Sequence, residues 1–206
     1  MNFSKFLFID AISAITIFSV LFLLKVRKTD LYRSSNKKEE IKKDYLQIPE
    51  MERLLELEKL AQIKGSGINF DSLIGNWKFI SIYKKDTVYE DYIFSSLLRF
   101  FSASMELKKE TSKTKPNQFS IITSIKFGFL FIRFSGSGYL KGKQPLLTYF
   151  FDLIELKSGS GLLFSRSLIE PLEKEKSFFE IIASEVSGNW ISARSQAGSL
   201  IFWVKD

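Results

Sequence analysis

The run QFSIITSIKFGFLFIRFSGSGY, residues 118–139, is rich in aromatic and β-branched residues, which are enriched in β-strands. Glycine interrupts this run at Gly128, Gly136 and Gly138. Glycine inside a strand often marks a bulge or the sharp bend at the corner of a barrel. The run therefore predicts strongly curved strands.

The same kind of pattern continues through most of the chain. Beyond residue 70, short apolar runs are separated by clusters of Gly, Ser, Lys or Pro. About eight or nine strands of this kind imply an antiparallel barrel or sandwich. One helix is expected among them near residues 91–102, where it could plug or cap a barrel end. The strands are expected near residues 76–83, 104–109, 118–126, 129–139, 146–156, 162–166, 177–185, 189–194 and 199–204.

Two of the expected strands are apolar at both parities, at residues 127–134 and 146–154. A strand with one solvent-exposed face should alternate between apolar and polar residues, so we expect both faces of these two strands to be covered. The inward face of a small barrel can be filled by side chains or can surround one apolar ligand, and the sequence leaves both arrangements open. The candidate residues for lining a cavity are Phe129, Phe131, Phe150, Leu146 and Ile121.

The amino-terminal region predicts a membrane anchor. Residues 6–24 are apolar or small except for Asp10, and as a helix they would reach about 28 Å. Basic residues follow this segment in place of a small-residue cleavage site, which favours an uncleaved transmembrane helix within residues 1–28 over a secretory signal. The excess of basic residues after the segment predicts that the remaining chain lies on the cytoplasmic or stromal side. A flexible linker is expected at 29–48, followed by a helix and a barrel domain at 49–206.

An amphipathic helix is expected directly before the barrel. Pro49 suits its first turn, and the sequence Gly65-Ser-Gly67 suits its end. Met51, Leu54 and other apolar residues fall on one side of this helix. We expect that side to pack on the barrel domain, with docking on a membrane as the alternative.

Composition excludes several classes of chemistry. With no cysteine and no histidine, the chain has no residues for disulfides, Cys nucleophiles, Cys/His zinc sites or His-dependent triads. A formal net charge of +7 spread over 206 residues is too dilute for a nucleic-acid-binding surface. Asp152 and Glu155 are acids on an apolar strand, but their opposite parity prevents both from facing one cavity. We therefore predict no enzyme activity, no catalytic residues, no metal site and no nucleic-acid partner.

The tripeptide Gly75-Asn76-Trp77 resembles the G-x-W signature of the lipocalin and calycin barrels. In those families the tryptophan packs at the closed barrel end beneath an arginine from a late strand. The resemblance implies that Gly75, Trp77 and Arg194 close the barrel, with Arg194 stacked on the indole. The residues alone also allow an ordinary core tryptophan and a surface arginine.

Two segments are similar to the plastid lipid-associated protein (fibrillin) family. LIGNWKF at residues 73–79 resembles its opening strand, and SARSQAGSLIFWV at residues 192–204 resembles its closing segment. The family has arginine and glycine where this chain has Ile191 and Ser195. The resemblance implies a lipocalin-like barrel at thylakoids or lipid droplets that handles prenylquinones, carotenoids or other lipids.

Together these patterns predict a non-enzymatic, membrane-tethered barrel. The resemblance implies that it binds lipids or isoprenoids in photosynthetic membranes, in particular the thylakoid. No cofactor is expected apart from a bound lipid, quinone or carotenoid. One alternative is a scaffold or assembly factor that uses the barrel to dock a membrane photosynthetic complex. Another is a bilin carrier or lyase of the calycin type, which would need Arg133 or Lys126 inside the cavity.

Overall fold

β-Strands account for most of the part of the chain that the structure describes. In the computed structural model, residues 50–206 form one compact unit. The predicted anchor at 1–28 and the predicted linker at 29–48 lie outside the described residues. The described residues are 49–85, 87–110, 118–142, 146–184 and 189–206.

Three α-helices occur in these ranges, namely α1 (Met51–Lys64), α2 (Phe70–Leu73) and α3 (Tyr92–Phe100). The amphipathic helix predicted before the barrel is therefore confirmed as α1. It packs against the strand Ser177–Ser184 through a side that buries Leu54 and Ala61. None of the helices in the described ranges has both the length and the apolar character needed to cross a bilayer.

The helix predicted within the strand region is confirmed as α3. It begins after Asp91, whose side chain accepts a hydrogen bond from the backbone N–H of Phe94 at 3.2 Å. Such a cap satisfies one of the backbone donors that a helix start leaves unpaired. Along α3, Ser95 is fully buried and bonds the backbone of Ile82, while Leu98 packs against the barrel core.

The predicted strands are confirmed, each within about two residues of its expected bounds. They are β1 (Gly75–Tyr83), β2 (Ser104–Lys109), β3 (Gln118–Phe127), β4 (Leu130–Lys141), β5 (Leu146–Ser158), β6 (Gly161–Ser167), β7 (Ser177–Ser184), β8 (Trp190–Ser195) and β9 (Leu200–Lys205).

Eight of these strands close into an antiparallel barrel. The order around it is β4-β3-β2-β1-β9-β8-β7-β5, and the pairing of β5 with β4 completes the circle. Strand β6 lies outside this circle, because residues 146–149 of β5 pair with β7 and residues 153–158 pair with β6. The predicted antiparallel barrel is therefore present, and the ends of β3, β4 and β5 continue past it together with β6.

Glycine residues allow β4 and β5 to approach closely. A bulge interrupts their pairing between Ser135 and Gly136, as the glycine pattern predicted. A Cβ atom on Gly136 would lie 2.7 Å from the Cα of Phe151 and closer still to the carbonyl oxygen of Phe150. Gly128 is outside the strands and forms the turn between β3 and β4 with a φ of 58°. Only a residue without a side chain fits at Gly136.

One end of the barrel interior is filled by a hydrophobic core. Its side chains come from all eight barrel strands or the loops beside them, and α2 contributes Leu73. Trp77 is fully buried there and donates its indole N–H to the carbonyl oxygen of Leu73 at 2.8 Å. The core members that are at most 2% exposed are Leu73, Trp77, Leu107, Phe119, Ile121, Leu147, Ile181, Ile191 and Ala193.

Replacing Gly136 with alanine should lower the free energy of unfolding by about 3 kcal/mol, because the added methyl group would overlap the β5 backbone. Gly161→Ala on β6 is the matched control, since its methyl group would meet only the Ser158 carbonyl oxygen at 3.4 Å. Chemical denaturation of the full chain measures both changes. Equal stability of the two variants would contradict the proposed close approach.

Candidate functional site

The residues predicted to line a cavity do not share one face of the barrel. Ile121 is fully buried in the interior core. On β5, Leu146 and Phe150 alternate with the inward-facing residues Leu147 and Tyr149, so they lie on the outer face. Phe150 is covered there by Lys176, whose Nζ atom lies 4.7 Å from the ring centroid.

The two remaining candidates also lie away from the core. Phe131 pairs with Lys126 and lines a pocket on the outer wall of the barrel. Phe129 lies in the turn between β3 and β4 and is 73% exposed. Of the five predicted residues, the structure therefore places Ile121 alone in the interior.

The opposite side chains of the same strands form a continuous apolar face. On β3, β4 and β5, cross-strand pairing joins Ile125 to Ile132, Ile132 to Leu156, and Phe134 to Ile154. Directly paired residues lie on the same side of a sheet. We call this surface the β3–β5 apolar face, and it consists of Ile125, Phe127, Leu130, Ile132, Phe134, Ile154 and Leu156.

The β3–β5 apolar face is continuous with the filled interior but is not buried. The Phe134 ring lies 5.5 Å from that of Phe151, which packs against the core. Every residue of the face retains part of its solvent exposure, since the strands here extend past the closed barrel. Large apolar side chains that remain partly exposed in a group are typical of a binding surface.

The carboxyl end of α3 lies at the edge of this face. The rings of Phe100 and Phe101 are 5.7 and 5.6 Å from that of Phe127. The backbone N–H of Lys126 donates to the carbonyl oxygen of Phe101 at 2.6 Å. Helix α3 therefore flanks the face while its Leu98 side chain reaches the core.

A chain of ring contacts connects the face to the opposite wall of the barrel. It passes from Phe134 through Phe151, Tyr149 and Phe179 to Trp203, with centroids 5.2 to 5.5 Å apart. Burial raises the pKa of the Tyr149 hydroxyl, and a hydrogen bond with Ser177 opposes this effect in part. The interior beside the apolar face is thus a poor environment for charge.

Lys205, and not Arg194 as predicted, lies over the indole of Trp77. Its Nζ atom is 5.4 Å from the ring centroid. Trp77 pairs with Lys205 on β9, whereas Arg194 pairs with Leu200. These β9 residues are separated by about 17 Å along an extended strand. Gly75 lies beside the same lysine, since a Cβ there would approach its Cε at 2.8 Å.

Arg194 instead holds α1 against β8. Its Nε donates to Oε1 of Glu58 at 2.6 Å, a second nitrogen bonds Oε2, and a third contact reaches the Gly198 carbonyl oxygen at 2.8 Å. The side chains of Arg194 and Glu58 are only 18% and 12% exposed. Sequence reasoning missed Glu58, although an arginine that directly follows the four buried residues of β8 signals that a carboxylate partner is needed.

Neither Arg133 nor Lys126 faces the interior. Arg133 pairs with Ser124 and Glu155, and Lys126 pairs with Phe131, which places both cations on the outer side of the sheet. The bilin alternative needed one of them inside the barrel, so the geometry gives it no support. Within the described ranges, no group of three or more carboxylates is arranged to hold a metal ion.

In structural class, the chain is a closed antiparallel eight-stranded barrel with a partly exposed apolar face at one end. A scan against protein-family models finds no match, and a comparison with curated proteins also finds none. The similarity of residues 73–79 and 192–204 to plastid lipid-associated proteins therefore stays a prediction.

Glu58→Gln should lower the free energy of unfolding by about 2 kcal/mol, because it leaves the largely buried Arg194 without a charged partner. The matched control is Glu56→Gln on the same helix, whose partner Arg53 is exposed and whose loss should cost less than about 1 kcal/mol. Denaturant titration of the full chain compares the two variants. Indistinguishable midpoints would show that the Arg194 pair does not stabilise the fold.

Tyr149 should remain protonated above about pH 10, where an exposed tyrosine ionises. Because its pKa is raised on folding, its contribution to stability is complete below about pH 10 and is lost as the pH rises further. Tyr149→Phe should therefore reduce the alkaline loss of stability, whereas Tyr89→Phe at an exposed position should not. Denaturation at several alkaline pH values measures this difference, and an identical loss in both variants would contradict it.

Proposed function

We propose that the chain is a non-enzymatic, membrane-tethered barrel that binds a lipid or isoprenoid on the β3–β5 apolar face. The observation that carries the proposal is that this face adjoins the core yet stays partly exposed. Each ligand methylene buried there would contribute about 0.8 kcal/mol. Burial of about eight methylenes would supply about 6 kcal/mol before the entropic cost of association.

The composition of the face favours an apolar chain as the ligand. Its seven residues are Ile, Leu or Phe, and none of them offers a charge or a hydrogen-bonding side chain. An acyl chain, a prenylquinone tail or a carotenoid matches this chemistry. A photosynthetic membrane, and the thylakoid in particular, is proposed from the resemblance of the two terminal barrel segments.

A membrane tether would serve such a ligand directly. The apolar segment at residues 6–24 and the basic residues after it support a single-pass anchor with the barrel on the cytoplasmic or stromal side. Tethering raises the effective concentration of the barrel at the bilayer that supplies or receives the ligand. The partner in this proposal is membrane lipid, with no resident cofactor.

Leu156→Asn should remove most of the lipid or pigment that copurifies with the full chain after extraction in a mild detergent, with at least a fivefold loss. Leu156 belongs to the apolar face, because it pairs with Ile132. Leu153→Asn is the matched control, since Leu153 lies on the same strand, pairs with Ser135 and points to the outer side. Mass spectrometry of an organic extract measures the bound molecules.

Retention of lipid by Leu153→Asn together with its loss from Leu156→Asn supports the proposal, provided that both variants unfold at temperatures close to that of the original chain. Equal amounts of lipid in both variants, or none in the original chain, would overturn it.

A second candidate function is a scaffold for a membrane complex, and strand β6 favours it. The described sheet order ends at β6, and every residue of β6 is exposed. Leu162, Leu163 and Phe164 are among these residues. An exposed apolar edge strand can pair with a strand of another protein. In this case the original chain would carry no lipid and would remain with a protein complex after extraction.

A further inference from the structure

A concave surface lies on the outer wall of the barrel, across β1 to β4. It is a pocket of about 280 Å³ that does not involve the β3–β5 apolar face. One cross-strand row of side chains spans it, in the order Lys78, Ser104, Ser124 and Arg133. Two short serine side chains thus lie between two long cationic ones, and this difference in length creates the concavity.

Arg133, at one end of this row, has a guanidinium nitrogen without a hydrogen-bond partner among the described residues. That nitrogen is Nε, which is buried. The carboxylate of Glu155 is 4.0 Å from this nitrogen, beyond hydrogen-bond distance, and lies 3.0 Å from Lys157 instead. An unpaired buried donor costs free energy, so a small rotation that brought the guanidinium onto a bound oxyanion would be favourable.

The serine residues supply a further donor. Their hydroxyl oxygens are 2.8 Å apart, so one hydroxyl donates to the other. Each hydroxyl carries one hydrogen, and a bond between the two uses only one of them. The second hydrogen is therefore available to an acceptor that lies over Ser104 and Ser124.

The charge balance of the pocket favours an anion. Lys78 forms an ion pair with Asp206, and Lys108 forms one with Glu106 at 2.8 Å. The positive and negative charges cancel within each pair. Arg133 is therefore the additional charge among the lining side chains. A bound oxyanion would neutralise it and replace its weak interaction with Glu155.

Two apolar side chains complete the pocket beside these polar groups. Ile122 lies one row away on β3, and Phe131 precedes Arg133 by two residues on the same side of β4. They provide a surface for an apolar group attached to the anion, whereas a fully hydrated ion would not use them.

We propose that this outer pocket binds an oxyanion, a phosphate or carboxylate, with Arg133 as its principal contact and the Ser104–Ser124 pair as a second donor. The anion is either the headgroup of an amphiphile, whose apolar part contacts Phe131, or free phosphate. The site does not depend on lipid binding at the β3–β5 apolar face, because its side chains point to the opposite side of the sheet.

Calorimetric titration of the full chain in a neutral detergent tests the proposal, with octyl phosphate and inorganic phosphate as the two probes. Arg133→Gln should weaken binding of octyl phosphate at least tenfold. Arg53→Gln is the matched control, because Arg53 is an exposed arginine on α1 outside the pocket. It should leave the affinity unchanged within about twofold, and it also corrects for partition of the probe into micelles.

The two probes distinguish the source of the anion. Tighter Arg133-dependent binding of octyl phosphate than of inorganic phosphate supports the site and assigns it to a headgroup, whereas equal affinities support the site and assign it to free phosphate. Ser124→Asp, which places a carboxylate beside Arg133, should abolish binding of both probes and provides a test that keeps the arginine. Unchanged octyl phosphate affinity in Arg133→Gln and in Ser124→Asp, or no binding by the original chain, would overturn the proposal.

Discussion

Pairing of β4 with β5 along nearly their whole lengths closes the barrel, and it requires the two backbones to approach more closely than a side chain allows. Gly136 meets this requirement, because its missing Cβ leaves room for the backbone of Phe150 and Phe151. The bulge at the same point changes the parity of β5, so that Phe151 and Ile154 both face inward. The interior core and the β3–β5 apolar face are thereby joined on one side of the same two strands.

The extension of these strands past the closed barrel has different consequences on their two sides. On the inner side, residues such as Ile132 and Leu156 continue the apolar interior into a region where β5 pairs with β6 and no longer with β7. On the outer side, serine and arginine alternate with these residues and produce a polar pocket. Strands β3 and β4 therefore carry an apolar surface on one side and a polar pocket on the other, each suited to a different part of an amphiphile.

The sequence predicted the architecture well and the orientation of individual side chains poorly. Strand bounds were predictable because glycine, serine, lysine and proline clusters separate the apolar runs. The face to which each side chain points was not predictable, because residues 127–134 and 146–154 carry apolar residues at both parities and lack an alternating signal. Phe131 and Phe150 were therefore predicted inside, whereas Ile132 and Tyr149 occupy the inner side. Arg194 signalled the need for a carboxylate partner, but Glu58 could not be identified as that partner, since the two residues are 136 positions apart and meet only after folding.

The position of β1 between β2 and β9 determines when the barrel can close during synthesis. On one side β1 pairs with β2, which follows it closely, but on the other it pairs with β9 at residues 200–205. During synthesis the growing sheet must therefore keep one unprotected edge until nearly the last of these residues has left the ribosome. Contacts between such distant segments form slowly, and exposed edges of incomplete sheets associate readily with other chains. Newly made protein is thus most vulnerable to aggregation in the interval just before β9 joins β1.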